Sequence, residues 1–245
     1  MTGETHLIQQ LIAAHHSGRA DVDAAPYSRL DRAAAYRIQH GVRTGLAAGI
    51  GLLKTAVHPD GVGVVAPIRS ERFGQSGSYS LPLSRVIGLE LEVGLVLARD
   101  LDSTTASADE SEIIEAIDHY FVGIEVCGSR FRNRAEAGPI GGLADSMSAF
   151  GYVIDPTPRE PGADIEAYDA HLLLNGTPLH AGKARHSFGT VLSSFVAYAR
   201  NQHPDYPLRA GTIVTTGSLC GLVPVSSPGH VVGRLGSHTV EFDLT

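Results

Sequence analysis

The chain has 245 residues, 43% of them apolar and 18% charged, so it can bury a core without disulfides or a structural metal. A formal net charge of −7, with no run of Lys and Arg, argues against a nucleic-acid partner, which would need a basic face. No apolar stretch reaches the ~18 residues of a membrane span, and Met1-Thr2-Gly3-Glu4 lacks the basic-then-apolar order of a signal peptide, so no membrane association is expected. The two cysteines, Cys127 and Cys220, provide no disulfide framework or Cys-based zinc site and fit a reducing cytoplasm.

In chain order, the first fifty residues read as a helical segment. Leu7, Leu11 and Ile12 recur at helix spacing. Asp21 to Pro26 reads as a loop, and Ser28 with Asp31 reads as a capping box opening a helix through Tyr36 and Ile38 toward Gly45 or Gly49. His15 and His16 are expected exposed on the first helix. From residue 51 to 245 the chain reads as one β-rich domain. Its short apolar runs are Gly51–Val57, Gly63–Ile68, Val86–Ala98, Phe121–Cys127, Phe150–Ile154, His171–Leu174, Thr212–Thr215, His230–Leu235 and Thr239–Leu244. Asp102 to Ala108 reads as a loop. Two helices interrupt the strands: one from near Asp109 to His119, one from Ser187 to Gln202, opened by His186. Asn175-Gly176 is a hairpin signal. Helices first and strands after, without βαβ alternation, predict an α+β fold with a mixed, rolled sheet.

The segment from Val86 to Ala98 carries the chemistry. With period two, one face holds Ile87, Leu89, Leu91, Val93, Leu95 and Leu97, and the other holds Gly88, Glu90, Glu92 and Gly94. Carboxylates two apart on a strand, at roughly 6–7 Å between Cα atoms, can converge on one ion; they can equally be a solvated face. The flanking glycines suggest open space beside them. Glu125 is a lone charge in the apolar strand Phe121–Cys127, so it needs a cation, a proton or hydrogen bonds, and a salt bridge to Arg130 or Arg132 would also serve. Carboxylates without Cys ligands suit a hard cation, Mg²⁺ or Mn²⁺. Cys127 itself reads as a small buried hydrophobe. Lys54 ends an apolar run and could bind a carboxylate or act as acid and base; a surface lysine fits the same position. Ser218 follows Gly217 but lacks a Gly-x-Ser-x-Gly elbow, and no His pair has metal-ligand spacing.

Ile87–Leu101 with Glu90-x-Glu92 resembles the metal-binding strand of the 2-keto-4-pentenoate hydratase and 4-oxalocrotonate decarboxylase group of the fumarylacetoacetate hydrolase superfamily. Ile124-Glu125-Val126-Cys127-Gly128-Ser129-Arg130, Ala144-Asp145-Ser146-Met147-Ser148, Leu208–Ser218, Val223-Pro224-Val225 and Leu235-Gly236-Ser237 follow in that group's order. The resemblance implies a metal on Glu90, Glu92 and Glu125, catalytic roles for Lys54 and Asp145, and a substrate pocket including His58, Ser146, Thr216 and Ser218. It implies a homo-oligomer and a small 2-oxo or 2-hydroxy-dienoic acid as substrate. Chelation of the carboxylate and 2-oxo oxygen serves hydration, decarboxylation and C–C cleavage alike. Gly128-Ser129-Arg130 looks closer to the hydratases, so hydration ranks first. Decarboxylation ranks second, acylpyruvate-type hydrolysis third, and a non-catalytic partner subunit is the alternative of another class. Ala56, Ser146 and Cys220-Gly221 depart from the group's pattern near the substrate.

Overall fold

The computed structural model describes residues 3–102, 105, 107–158 and 167–245. Helices α1 (Gly3–Ser17) and α2 (Arg32–Gly45) precede the strands and lie against each other. Gly41 and Gly45 face Ile8 and Ile12, where any β-carbon would collide, so small residues set how closely the helices approach. The cap of α2 differs from expectation. Asp31 Oδ1 accepts from Ala34 N at 2.7 Å, whereas Ser28 Oγ donates to the Ala25 carbonyl at 2.9 Å inside a 3₁₀ turn. Asp31 therefore caps alone, as a good N-cap residue does. His16 is exposed, but His15 is half-buried; burial first, then Arg130, Arg69, Arg85 and Arg72, hold its imidazole far below the ordinary range.

Strands β1 (Ile50–Val57), β2 (Gly63–Arg69), β3 (Phe73–Gln75), β5 (Val86–Leu97), β6 (Ile117–Gly128), β7 (Ala149–Ile154) and β10 (Ile213–Ser218) form a seven-stranded sheet in the order β2-β1-β10-β5-β6-β7-β3. Strands β4 (Ser80–Leu81), β8 (Asp169–Leu174), β9 (Thr177–Lys183), β11 (Gly229–Leu235) and β12 (His238–Leu244) form a second, in the order β4-β12-β11-β8-β9. The larger sheet mixes parallel and antiparallel pairs and curls into a half-barrel, the expected α+β architecture. Leu89, Leu91, Val93, Leu95, Ile124 and Val126 on one face join the main core with Leu7, Leu11 and Ile38 of the helices and Phe242 of the second sheet. The opposite face carries a small apolar cluster of Leu52, Ile68, Phe121, Ala149 and Tyr152. The candidate site occupies the rest of that face.

Other boundaries differ for physical reasons. The helix expected to reach His119 is only α3 (Glu110–Ile114), because Ile117 already starts β6 and His119 pairs with Val96. The late helix is α5 (Ser193–Ala199). Residues before it form a turn in which Thr190 N donates to Ser193 Oγ and Gly189 takes a positive φ of 92°, so His186 does not open it. Helix α4 (Gly138–Ala144) was not expected. Nor was β9, although Asn175-Gly176, both at positive φ, forms the β8–β9 hairpin turn as read. The expected loop from Asp102 to Ala108 lies partly outside the described residues. Among the described residues no helix is long and apolar enough to cross a membrane.

Candidate functional site

Sheet register builds the site. Glu90 pairs directly with Glu125 across β5 and β6, Glu92 sits two residues along, and Cys127 lies two residues from Glu125. Side chains two apart share a face, so all four converge. On the other side, Thr215 of β10 pairs with Gly94, and Lys54 of β1 pairs with Thr215. Six side chains from four neighbouring strands thus meet on one face.

The ammonium of Lys54 is the centre of the cluster. Its Nζ donates to Glu125 Oε1 at 2.7 Å and to the Met147 carbonyl at 3.2 Å, and lies 3.8 Å from Glu90 Oε2. Cys127 Sγ donates to Glu90 Oε2 at 3.5 Å. Thr215 Oγ1 makes a short hydrogen bond to Glu92 Oε2 and is itself 3.0 Å from the Tyr152 hydroxyl. Glu92 and Glu125 are both 0% exposed. Lys54 is 11% exposed and therefore no surface lysine.

Titration follows from this crowding. Burial pushes the Glu125 carboxyl up to about 7, Lys54 opposing and Glu90 reinforcing. Burial, then the charges of Glu125 and Glu90, holds Glu92 well above the carboxylate range. For Lys54, burial works against the charged form, but Glu125, Cys127, Glu90 and Glu92 outweigh it and the ammonium is held well above its usual value. The cluster without metal therefore keeps its ammonium and favours the protonated forms of Glu92 and Glu125. Raised carboxyls mean that the folded chain binds more protons than the unfolded one. The contribution of Glu125 to stability is present at low pH and lost as pH rises from about 4.5 to about 7. Metal-stripped protein is accordingly expected to show a denaturation midpoint that falls across that window, with Mg²⁺ restoring more stability at its upper end. A midpoint that rises steadily through the window would contradict the assignment.

The donors fit a divalent cation. Glu92 Oε1 and Glu125 Oε2 are buried oxygens with no hydrogen-bond partner, and unpaired buried acceptors favour a cation. Ligand atoms of Glu90, Glu125 and Cys127 lie within 4.8 Å of one another. Glu92, expected as the third ligand, has one oxygen engaged by Thr215 and its other oxygen free. The glycines do not leave open space as anticipated. A β-carbon at Gly94 would strike Phe121, at Gly123 Tyr152, and at Gly88 the Val223 carbonyl and Leu222. They admit neighbouring groups that wall the site.

A cleft of about 380 Å³ adjoins the cluster, sharing Met147 with it and lined also by Ala56, His58, Arg134, Leu143 and Ser148. His58 Nδ1 is 2.9 Å from Asp60 Oδ1 and 3.1 Å from Arg32 Nη2. The Met147 carbonyl reaches Lys54 because Ser146, Met147 and Ser148 all take left-handed φ, between 51° and 63°, a conformation that non-glycine residues adopt only when surroundings enforce it.

Other expected pocket residues face elsewhere. Asp145 is buried against Arg130 in an ion pair and accepts from Ser129 Oγ at 3.0 Å and Arg130 N at 3.1 Å; it anchors the turn that carries Met147. Burial raises its carboxyl, Arg130 opposing. Ser146 lines a small separate cavity with His15 and Gln39, and Ser148 takes the place facing the cleft. Thr216 donates to the Val93 carbonyl at 2.7 Å and contacts His186; alternation puts Thr215 on the Lys54 side instead. Ser218, opposite Glu92, donates to the Gly221 carbonyl at 3.0 Å and so closes the turn through Cys220. Arg134, Ser148, Thr215, Tyr152 and the approach of Cys127 Sγ to Glu90 and Glu125 were not anticipated. Only Cys127, two residues from Glu125 on the same strand, had a signal in the sequence.

A half-barrel with glutamates on facing strands around a buried lysine defines the class. Residues 54–242 match the fumarylacetoacetate (FAA) hydrolase C-terminal family, and the chain belongs to it. Among its relatives are 2-keto-4-pentenoate hydratases. One from Paraburkholderia xenovorans is 32% identical over 177 residues, 70% of this chain and 64% of that protein, so the match spans less than two thirds of that relative. One from Paraburkholderia phymatum is 31% identical over 206 residues, 79% of this chain and 76% of that protein. In fold the chain is similar to 4-oxalocrotonate decarboxylase from Pseudomonas putida G7, solved with magnesium and adipate, with a TM-score of 0.81 over 100% of this chain and 99% of that one at 18% identity.

Proposed function

We propose that the protein is a divalent-metal-dependent lyase that hydrates a small 2-hydroxy-2,4-dienoic acid, using Mg²⁺ or Mn²⁺. The convergence of Glu90, Glu125 and Glu92 beside the Lys54 ammonium, with a substrate-sized cleft adjoining, carries this reading. Glu90 and Glu125 would hold the ion, with Glu92 or Cys127 completing the set. When bound, the ion supplies the positive charge that a 2-oxo acid needs as electron density moves onto its oxo oxygen. The relatives named as hydratases support water addition over decarboxylation or hydrolysis. A homo-oligomer belongs to the same reading.

The chain's own groups prepare the reaction. Lys54 Nζ, kept protonated by its glutamates, presents a proton and a positive charge at the junction of cluster and cleft. Tyr152 and Thr215 fix the carboxylate of Glu92 from the closed side. Apolar walls at Ala56, Val64 and Leu143 keep solvent from the hydrocarbon part of the substrate. The experiment is turnover, with and without Mg²⁺, of a panel holding a 2-hydroxy-2,4-dienoate, a 4-oxalocrotonate-type diacid and an acylpyruvate. Metal-dependent hydration of the dienoate is expected. Metal-dependent loss of CO₂ or C–C cleavage in its place reassigns the reaction, and no turnover of any of the three refutes it.

A further inference from the structure

Cys127 stands inside the glutamate cluster, although a sequence reading makes it a small apolar filler. It is 2% exposed and lies two residues from Glu125 on β6, so its side chain shares the site face of that strand. Its partners across the sheet are Gly88 on one side and Ala149 on the other, neither longer than a methyl group. The thiol is not turned away from the acids. Its Sγ donates to Glu90 Oε2 at 3.5 Å, and ligand atoms of Glu90, Glu125 and Cys127 all lie within 4.8 Å of one another.

That spacing suits a shared ion. A sulfur at ~2.3 Å and an oxygen at ~2.1 Å from one cation stand about 3.6 Å apart at a tetrahedral angle. The pair is therefore already at the separation that coordination needs. An independent observation points to the same place. Glu125 is 0% exposed; its Oε1 accepts from Lys54, while its Oε2 is buried without a partner. A bare buried acceptor calls for a cation.

Sulfur changes which cation suits the centre. Mg²⁺ takes oxygen donors and ignores a thiol, whereas Zn²⁺, Co²⁺ and Cd²⁺ gain from a thiolate. In the ion-free chain the thiol holds its proton, as its donation to Glu90 requires; coordination sends that proton to solvent.

We infer that Cys127 is a ligand for thiophilic divalent cations, which bind here through its sulfur together with Glu90 and Glu125 and displace Mg²⁺ or Mn²⁺. The inference rests on the reading that these glutamates hold an ion. It adds a sulfur donor, and with it a built-in preference for ions that an all-carboxylate centre would not favour to the same degree.

Metal-stripped wild type, Cys127→Ser, Cys127→Ala and Cys220→Ser are titrated with Co²⁺, Cd²⁺ and Mn²⁺, with thermal melts confirming that each variant folds. Wild type and Cys220→Ser are expected to give a sulfur-to-cobalt charge-transfer band that saturates at one ion per chain. Both Cys127 variants should lack the band. The ratio of Cd²⁺ to Mn²⁺ affinity should fall roughly tenfold or more in Cys127→Ser, with Mn²⁺ affinity itself little changed. Co²⁺ and Mn²⁺ binding to wild type without the band overturns the inference and leaves the glutamate centre standing. A band that survives in Cys127→Ser or vanishes in Cys220→Ser overturns it in favour of Cys220. No binding of any of the three ions removes the metal centre and the inference together. If both Cys127 variants fail to fold, the spectra of wild type and Cys220→Ser still decide.

Discussion

Lys54→Met is expected to lower kcat/KM by roughly 10²–10⁴-fold at saturating Mg²⁺, the span that a positioned proton donor or acceptor contributes. Methionine keeps the length of the stem and its packing but removes the ammonium that bridges Glu125 and the Met147 carbonyl. Two consequences separate this from simple misfolding. The chain should still fold, because the surrounding strands Ile50–Val57 and Ile213–Ser218 are held by backbone pairing rather than by Lys54. Metal should still bind, because Lys54 is a competitor of the ion for Glu125 and Glu90, not a ligand. Wild-type kcat/KM in this variant would remove Lys54 from the mechanism.

Glu92→Gln should separate folding from metal binding by moving them in opposite directions. In the metal-free chain Glu92 is fully buried and held well above the ordinary carboxylate range by burial and by Glu125 and Glu90. An amide stays neutral without taking up a proton on folding and still accepts from Thr215 Oγ1, so the metal-free protein should melt higher at neutral pH. For a chain of this size the melting temperature moves by roughly 2–4 °C per kcal/mol recovered. Mg²⁺ affinity should fall instead, by ~100-fold or more, beyond the ~10–100-fold typical of groups that only orient ligands. Equal affinity in both proteins would leave Cys127 as the third ligand beside Glu90 and Glu125, whose atoms already cluster.

What could be read in the sequence was what depends on local period. The alternation from Ile87 to Leu97 is honoured by a strand whose Leu89, Leu91, Val93 and Leu95 are essentially inaccessible. The α+β class and most strand positions follow from the same signal. Convergence of Glu90 with Glu125 needed the register of β5 against β6, which no local pattern contains. The helix read from near Asp109 to His119 stops at Ile114, because pairing with β5 claims the residues from Ile117. Strand β9, Thr177–Lys183, has no apolar run, and its pairing with β8 alone makes it a strand. The glycines beside the glutamates were read as open space, whereas Phe121 and Tyr152 fill it.

The central claim, that Glu125 and its neighbours hold one divalent cation, is tested most directly by titrating metal-stripped protein with Mn²⁺ and following both the heat and the loss of free-ion paramagnetic signal. The account predicts one site per chain, with protons released on binding as the raised carboxyl of Glu125 gives up its proton, and with the site abolished in Glu125→Gln. Saturable binding of the same stoichiometry and affinity in Glu125→Gln would contradict it.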